Sequence, residues 1–349
     1  MKAFRPLLGI SAGDPAGIGP EISVKALNIP EIYDHCRPLL VCDGWITEQV
    51  IKICNLNLKL NVVNDPAEGI YQHGIIDVLD LKNIDPVQFK FNQVTAMTGK
   101  ASFEYVAEVI ELALAAKIDA TITGPIHKEA LQAGGYNYAG HTEIFAERTK
   151  TSKYSMMLAD GDFRVVHVST HVSLTEAIQR VKKSRVLEVI QLGLEALQKM
   201  GIESPRIAVA GLNPHAGENG LFGREEIDEI IPAVEAARDQ GWQVEGPFPP
   251  DTIFPKMRGG QYDLVVCMYH DQGHIPTKLL GFNYNHQTNR WEGLSGVNIT
   301  LGLPIIRVSV DHGVAFDKGG KGEANPESMI QALKYGVQFA TQKYHPDLT

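Results

Sequence analysis

The 349-residue chain has no run approaching about 18 consecutive apolar residues, the length a helix needs to cross a bilayer. Its opening, Met-Lys-Ala-Phe-Arg-Pro, leads straight into a strand-like segment without the apolar stretch of a secretory signal. A cytoplasmic protein with no membrane partner is expected. Cysteine is scarce: Cys36, Cys42, Cys54 and Cys267 show no Cys-x-x-Cys spacing, which disfavours a disulfide frame and a thiolate metal site and leaves reduced core thiols. Long basic runs are also missing. With 32 Lys and Arg against 41 Asp and Glu, the net charge of −9 argues against a nucleic-acid partner but leaves room for a small anion held locally. Neither Gly-x-Gly-x-x-Gly nor Gly-x-x-x-x-Gly-Lys-Ser/Thr occurs, so Rossmann, kinase and ATPase readings lose support.

What is present is the composition of a folded protein: 44% hydrophobic and 21% charged, with 33 Gly and 19 Pro dispersed along the chain. The length favours two lobes over one core. Short apolar runs at 7–11, 38–42, 75–79, 120–123, 163–169, 206–210, 264–268 and 305–310 alternate with stretches of helical period, the α/β pattern. Phe103, Val106, Ile110 and Leu114 mark one core-facing helical stripe; Leu187, Ile190, Leu194 and Leu197 mark another. Ser173 with Glu176 reads as a capping box, and Asn325 before Pro326 as a helix start. The division is set at 1–130 with 311–349 for one lobe and 131–310 for the other.

Three histidines follow apolar runs: His171, His215 within Gly-Leu-Asn-Pro-His-Ala-Gly, and His270 within Met-Tyr-His-Asp-Gln-Gly. Ligands collect beyond the carboxyl ends of strands in α/β sheets, so these imidazoles either converge on a metal with open positions or are unrelated. His141 and Thr142 open a helical stretch where free N–H groups favour an anion, or Thr142 simply caps the helix. Arg307 lies in an apolar strand and must meet an anion or reach solvent; Lys128 and Lys278 are further basic groups of interest. The glycine-dense segment 311–326 allows close approach to a ligand, with Asp317 available to a ribose, or is a long loop.

The motifs Gly13-Asp14-Pro15-Ala16-Gly17-Ile18-Gly19-Pro20-Glu21, Thr123-Gly124-Pro125, Gly140-His141-Thr142-Glu143, Ser169-Thr170-His171, Asn213-Pro214-His215-Ala216-Gly217-Glu218, Tyr269-His270-Asp271-Gln272-Gly273, Gly296-Val297-Asn298 and Val310-Asp311-His312-Gly313 occur in order. Together they resemble the 4-hydroxythreonine-4-phosphate dehydrogenase family. The resemblance implies a homodimer with a two-lobed α/β/α fold akin to isocitrate and isopropylmalate dehydrogenases, the active-site cleft between the lobes and near the dimer interface. It implies a divalent metal, zinc with Mg, Co or Mn as alternatives, held by His171, His215 and His270, from one or both subunits. It carries substrate contacts to His141, Thr142, Lys278, Asn298 and Arg307. Likeness to the adenosine loop of isopropylmalate dehydrogenases makes Gly313, Asp317 and Asn325 candidates for binding NAD or NADP.

One departure is an insertion at 283–295, containing Trp291, between Lys278 and Asn298. The motifs around His215 and His270 resemble the branch acting on 4-phospho-D-threonate or 4-phospho-D-erythronate more than the vitamin B6 enzyme. The implied reaction is oxidation of the C3 hydroxyl of a 4-phosphorylated four-carbon acid with loss of CO2, 4-phospho-D-threonate giving dihydroxyacetone phosphate. The alternatives are 4-hydroxythreonine-4-phosphate oxidation in pyridoxal phosphate synthesis and a three-histidine metal phosphohydrolase. Asp251 and Lys128 are the candidate proton acceptors.

Overall fold

A computed structural model describes residues 4–287, 290–292 and 296–344. Its strands in chain order are β1 (Leu7–Ser11), β2 (Arg37–Cys42), β3 (Lys59–Val63), β4 (Ile75–Asp80), β5 (Ala120–Thr123), β6 (Ser155–Asp160), β7 (Phe163–His167), β8 (Ile207–Ala210), β9 (Val244–Phe248), β10 (Leu264–Cys267), β11 (Asn283–Asn285), β12 (Arg290–Glu292), β13 (Val297–Leu301) and β14 (Arg307–Val310). The mixed α/β class expected from the alternating runs is observed. The chain divides into two compact units, one reaching to Ser152 and resuming at Leu303, the other Lys153–Gly302.

In the first unit the strand order is β3-β4-β2-β1-β5-β14, with neighbouring strands parallel throughout. Parallel strands are covered on both faces, which is why β1 reads Leu-Leu-Gly-Ile-Ser and is buried throughout. Leu8, Ile10 and Ile122 are fully buried, each side chain contributing about 1.5–3 kcal/mol of apolar burial. The helix Ala96–Leu114 lays Phe103, Val106 and Ile110 on the core, whereas Leu114, expected on the same stripe, ends the helix exposed. Gly99 allows this helix to meet the next, since a Cβ there would lie 1.7 Å from the Ala130 carbonyl oxygen.

In the second unit the order is β13-β6-β7-β10-β8-β9: antiparallel across β13, β6 and β7, parallel from β7 onward. Its core gathers Met156, Leu158, Phe163, Val165, Ile253 and Val265. The helix Lys183–Lys199 buries Ile190 and Leu197 with much of Leu194, while Leu187 is half-buried. Ser173 caps the helix Leu174–Arg180 through Glu176 N, as its sequence predicted. The helix after Asn325 starts at Glu327, whose N–H donates to Asn325 Oδ1. All four cysteines are free.

Among the described residues no helix is long and apolar enough to cross a membrane.

Candidate active site

Three parallel neighbours carry the histidines of interest. β7, β10 and β8 lie side by side, with Cys267 opposite His167 and Val266 opposite Val209, so their carboxyl ends emerge on one edge. His171, His270 and His215 follow those ends within a few residues.

Two of the three converge. The His171 and His270 rings are 5.7 Å apart and line a cleft of about 420 Å³ with Thr170, Ser173, Tyr269 and Asp271. His270 Nδ1 lies 2.6 Å from Asp271 Oδ1, a carboxylate contact that fixes the orientation of the ring. Behind His270 lies a second pair of imidazoles. His274 stacks on it at 3.5 Å, and His167 lies 4.7 Å from His274. Burial first, and then the neighbouring imidazoles, hold both as neutral rings, His167 lowered to about 4 and His274 to about 3. His167 fits only because residue 273 is glycine: a Cβ there would lie 2.4 Å from His167 Nε2.

His215 stands apart, exposed, in a turn where His215, Ala216, Gly217, Glu218 and Asn219 all have positive φ. Left-handed backbone costs a non-glycine residue about 1–2 kcal/mol, so this turn exists only because its surroundings enforce it. Imidazoles are suitable donors for a divalent metal, and His171 with His270 offers two. Among the described residues, no three His, Cys, Asp or Glu side chains come close enough to hold one ion.

In the first unit Arg307 is buried on β14, its guanidinium over the Phe145 ring at 5.5 Å and donating to Thr123 Oγ1 at 3.1 Å. Burial lowers it to about 9, opposed by Glu143, so it stays cationic at neutral pH. His141 is lowered well below the usual imidazole value by burial and by the Arg307 charge, and its buried Nε2 has no hydrogen-bond partner among the described residues. The helix His141–Arg148 is capped by Gly140 without any side-chain bond, so Thr142 is not its cap and the first-turn N–H groups stay open to an anion.

Lys278 sits on the helix His270–Gly281 with its ammonium 4.9 Å from the Phe282 ring centre. Asn298 is on β13, its buried Oδ1 without a hydrogen-bond partner among the described residues. Asp251, in the first turn of the helix Pro250–Arg258, and Lys128, at the start of the helix Lys128–Ala133, are exposed. Gly313, Asp317 and Asn325 are exposed on the glycine-dense loop, with open space where a Gly313 Cβ would stand. The loop is tied to the helix Gly19–Ala26: Lys25 Nζ donates to the Gly322 and Ala324 carbonyls at 2.8 and 2.7 Å, and Lys321 N–H donates to Glu21. Of the insertion, β11 and β12 pair antiparallel with Tyr284 opposite Trp291; 288–289 and 293–295 lie outside the described residues.

Residues 34–336 match the family described as pyridoxal phosphate biosynthetic protein PdxA. The D-threonate 4-phosphate dehydrogenase of Cupriavidus necator is 46% identical over 344 residues, covering 98% of this chain and 100% of the relative. The 4-hydroxythreonine-4-phosphate dehydrogenase of Desulforapulum autotrophicum is 46% identical over 342 residues, covering 98% and 97%. The crystal structure of 4-hydroxythreonine-4-phosphate dehydrogenase from Klebsiella pneumoniae superposes with a TM-score of 0.86 at 40% identity, covering 97% of this chain and 99% of that one. The chain belongs to the PdxA family.

The PdxA match spans every histidine discussed above together with Lys128, Lys278 and Arg307, while Lys25 and the motif Gly13–Glu21 precede it. Three features of this PdxA chain were not singled out from sequence. His274 is one helical turn from His270, a spacing that marks a shared face. Asp14 is fully buried in the Gly13–Glu21 motif, with Oδ1 accepting from Ala16 N and its carboxyl raised to about 6 by burial. Glu226, buried behind the His215 turn, had no local signal.

Proposed function

We propose that this protein is an NAD-dependent dehydrogenase of a 4-phosphorylated four-carbon acid, oxidising the C3 hydroxyl, with 4-phospho-D-threonate as the substrate and dihydroxyacetone phosphate and CO2 as products. The observation that carries the reading is the pairing of His171 and His270 on one cleft at the ends of adjacent parallel strands. The full-length relatives named as dehydrogenases support the reaction class. The equal identity to a 4-hydroxythreonine-4-phosphate dehydrogenase keeps 4-phosphooxy-L-threonine as the second reading.

A divalent cation held by His171, His215 and His270, the set being shared between two copies of the chain, would supply Lewis-acid polarisation of the alcohol oxygen, and a bound nicotinamide dinucleotide would supply the hydride acceptor. The chain's own groups do the binding and orienting. Arg307, desolvated and fixed by Thr123 and Phe145, offers a rigid cation to the phosphate or carboxylate, and neutral His141 beside it can donate a hydrogen bond without adding like charge. Thr142 adds its hydroxyl at the open helix terminus, with Lys278 and Asn298 as further substrate contacts. Oxidation at C3 gives a 3-oxo acid, whose carbonyl accepts the electron pair as CO2 leaves. Gly313, Asp317 and Asn325 form the cofactor contacts, supported by a loop that Glu21 and Lys25 already hold in place. The proton acceptor is assigned to Asp251 or Lys128, both exposed and free to meet a bound substrate.

The protein acts as a homodimer in this reading. Leu174, Ile178, Leu221, Phe222, Ile275 and Leu279 are exposed on segments flanking the three histidines, more apolar surface than an isolated unit gains from exposing. A second copy covering it would bring further ligands to each cation. The test is NADH formation with 4-phospho-D-threonate, 4-phospho-D-erythronate and 4-phosphooxy-L-threonine: the first should turn over with the highest kcat/KM, and no NADH with any of the three would contradict the reading.

A further inference from the structure

The left-handed turn that carries His215 is built around a buried carboxylate. Glu226 is 1% exposed. Its Oε1 accepts from the Leu212 and Asn213 backbone N–H groups, each at 2.7 Å, and its Oε2 accepts from the Asn213 side-chain amide at 2.9 Å. The same amide also donates to Glu225 at 2.7 Å. Two glycines press against the carboxylate: a Cβ at Gly211 would lie 3.1 Å from Oε1, and one at Gly217 would lie 2.6 Å from Oε2. The entry to the turn and its middle are thus both shaped around one acidic side chain. Gly217 has φ +81, and the four non-glycine residues His215, Ala216, Glu218 and Asn219 share the left-handed region. Such a run persists only where its surroundings over-determine it.

We propose that Glu226 is a positioning residue for His215: by locking the left-handed turn, its carboxylate sets the direction in which the imidazole is presented to a divalent cation. The proposal rests on the reading of His215 as a metal ligand. An ionised carboxylate only accepts hydrogen bonds and so matches three converging donors, whereas an amide of the same shape turns an N–H toward one of them. Outer groups that orient a ligand change metal affinity without touching the metal.

The test uses the full-length protein with Zn2+ alone as the probe, its apparent Kd measured by competition with a chromophoric chelator. Glu226→Gln should weaken Zn2+ binding about 10–100-fold, the range for lost outer-shell partners. Asn213→Ala, which removes only the amide contact, should weaken it by less and serves if the first variant does not fold. The deciding comparison is a double mutant: in a His215→Ala background, Glu226→Gln should cause no further loss, because the carboxylate acts through that imidazole. Wild-type affinity in both Glu226→Gln and Asn213→Ala, or a full additional loss in the His215→Ala background, overturns the positioning role. Wild-type affinity in His215→Ala itself overturns the ligand reading beneath it.

Discussion

His270 and His274 stack one helical turn apart, ring centroids 3.5 Å from each other and planes inclined by 12°. His274 Nδ1 lies 2.9 Å from the His270 carbonyl oxygen, and burial keeps the ring neutral, so the stacked pair avoids like charge. Replacing His274 by Ala removes a buried flat ring and should cost about 1–3 kcal/mol in urea unfolding of the metal-free protein. His274→Phe retains the stacking surface and should lose less than half of that. Equal losses would mean that the imidazole's hydrogen bond, not its face, holds the pair.

Asp14 gives the stability a pH dependence with a definite sign. Burial raises its folded value to about 6, above the ordinary carboxyl value, so the folded state holds the proton more tightly than the unfolded chain. The contribution is fully present below about pH 4 and is lost as pH rises through about 6, a difference on the order of 3 kcal/mol. Asp14→Asn, which preserves an acceptor for Ala16 N, should therefore gain stability relative to wild type at pH 7.5 but not at pH 4. Urea midpoints at the two pH values check this; a pH-independent difference would contradict it.

Arg307→Ala should raise KM for the phosphorylated acid by roughly 10–100-fold, the cost of losing a charge-assisted contact of about 1.5–3 kcal/mol. KM for the dinucleotide should change little. An unchanged acid KM would make Arg307 a structural partner of Thr123 and Phe145 only.

The glycine-dense loop offers the opposite split. Lys25→Met removes the ammonium that binds the Gly322 and Ala324 carbonyls, freeing the loop at one end. The dinucleotide KM should rise several-fold while kcat at saturation and the acid KM stay near wild type. A change in the acid KM alone would detach this loop from cofactor binding.

Some of this was legible in the sequence, for reasons visible in particular elements. β1 and β5 match their apolar runs residue for residue, because β-branched residues bounded by polar turns read as buried strands. β6, Ser-Met-Met-Leu-Ala-Asp, and β9, Val-Glu-Gly-Pro-Phe, were not read as strands: Met and Ala favour helix as much as strand, and Gly-Pro signals a turn. The histidines' positions just past strand ends followed from the alternation of elements. The shape of the His215 turn did not, since four of its five left-handed residues are not glycine and nothing local marks them. The partners of Glu226 lie 13 and 14 residues away, beyond the reach of any local pattern.

The most direct measurement follows NADH and inorganic phosphate together in one sample of protein, NAD and 4-phospho-D-threonate, with and without a metal chelator. NADH should accumulate without phosphate release, and the chelator should stop it. Phosphate released without NADH, or NADH formed at an undiminished rate after complete metal removal, would contradict it.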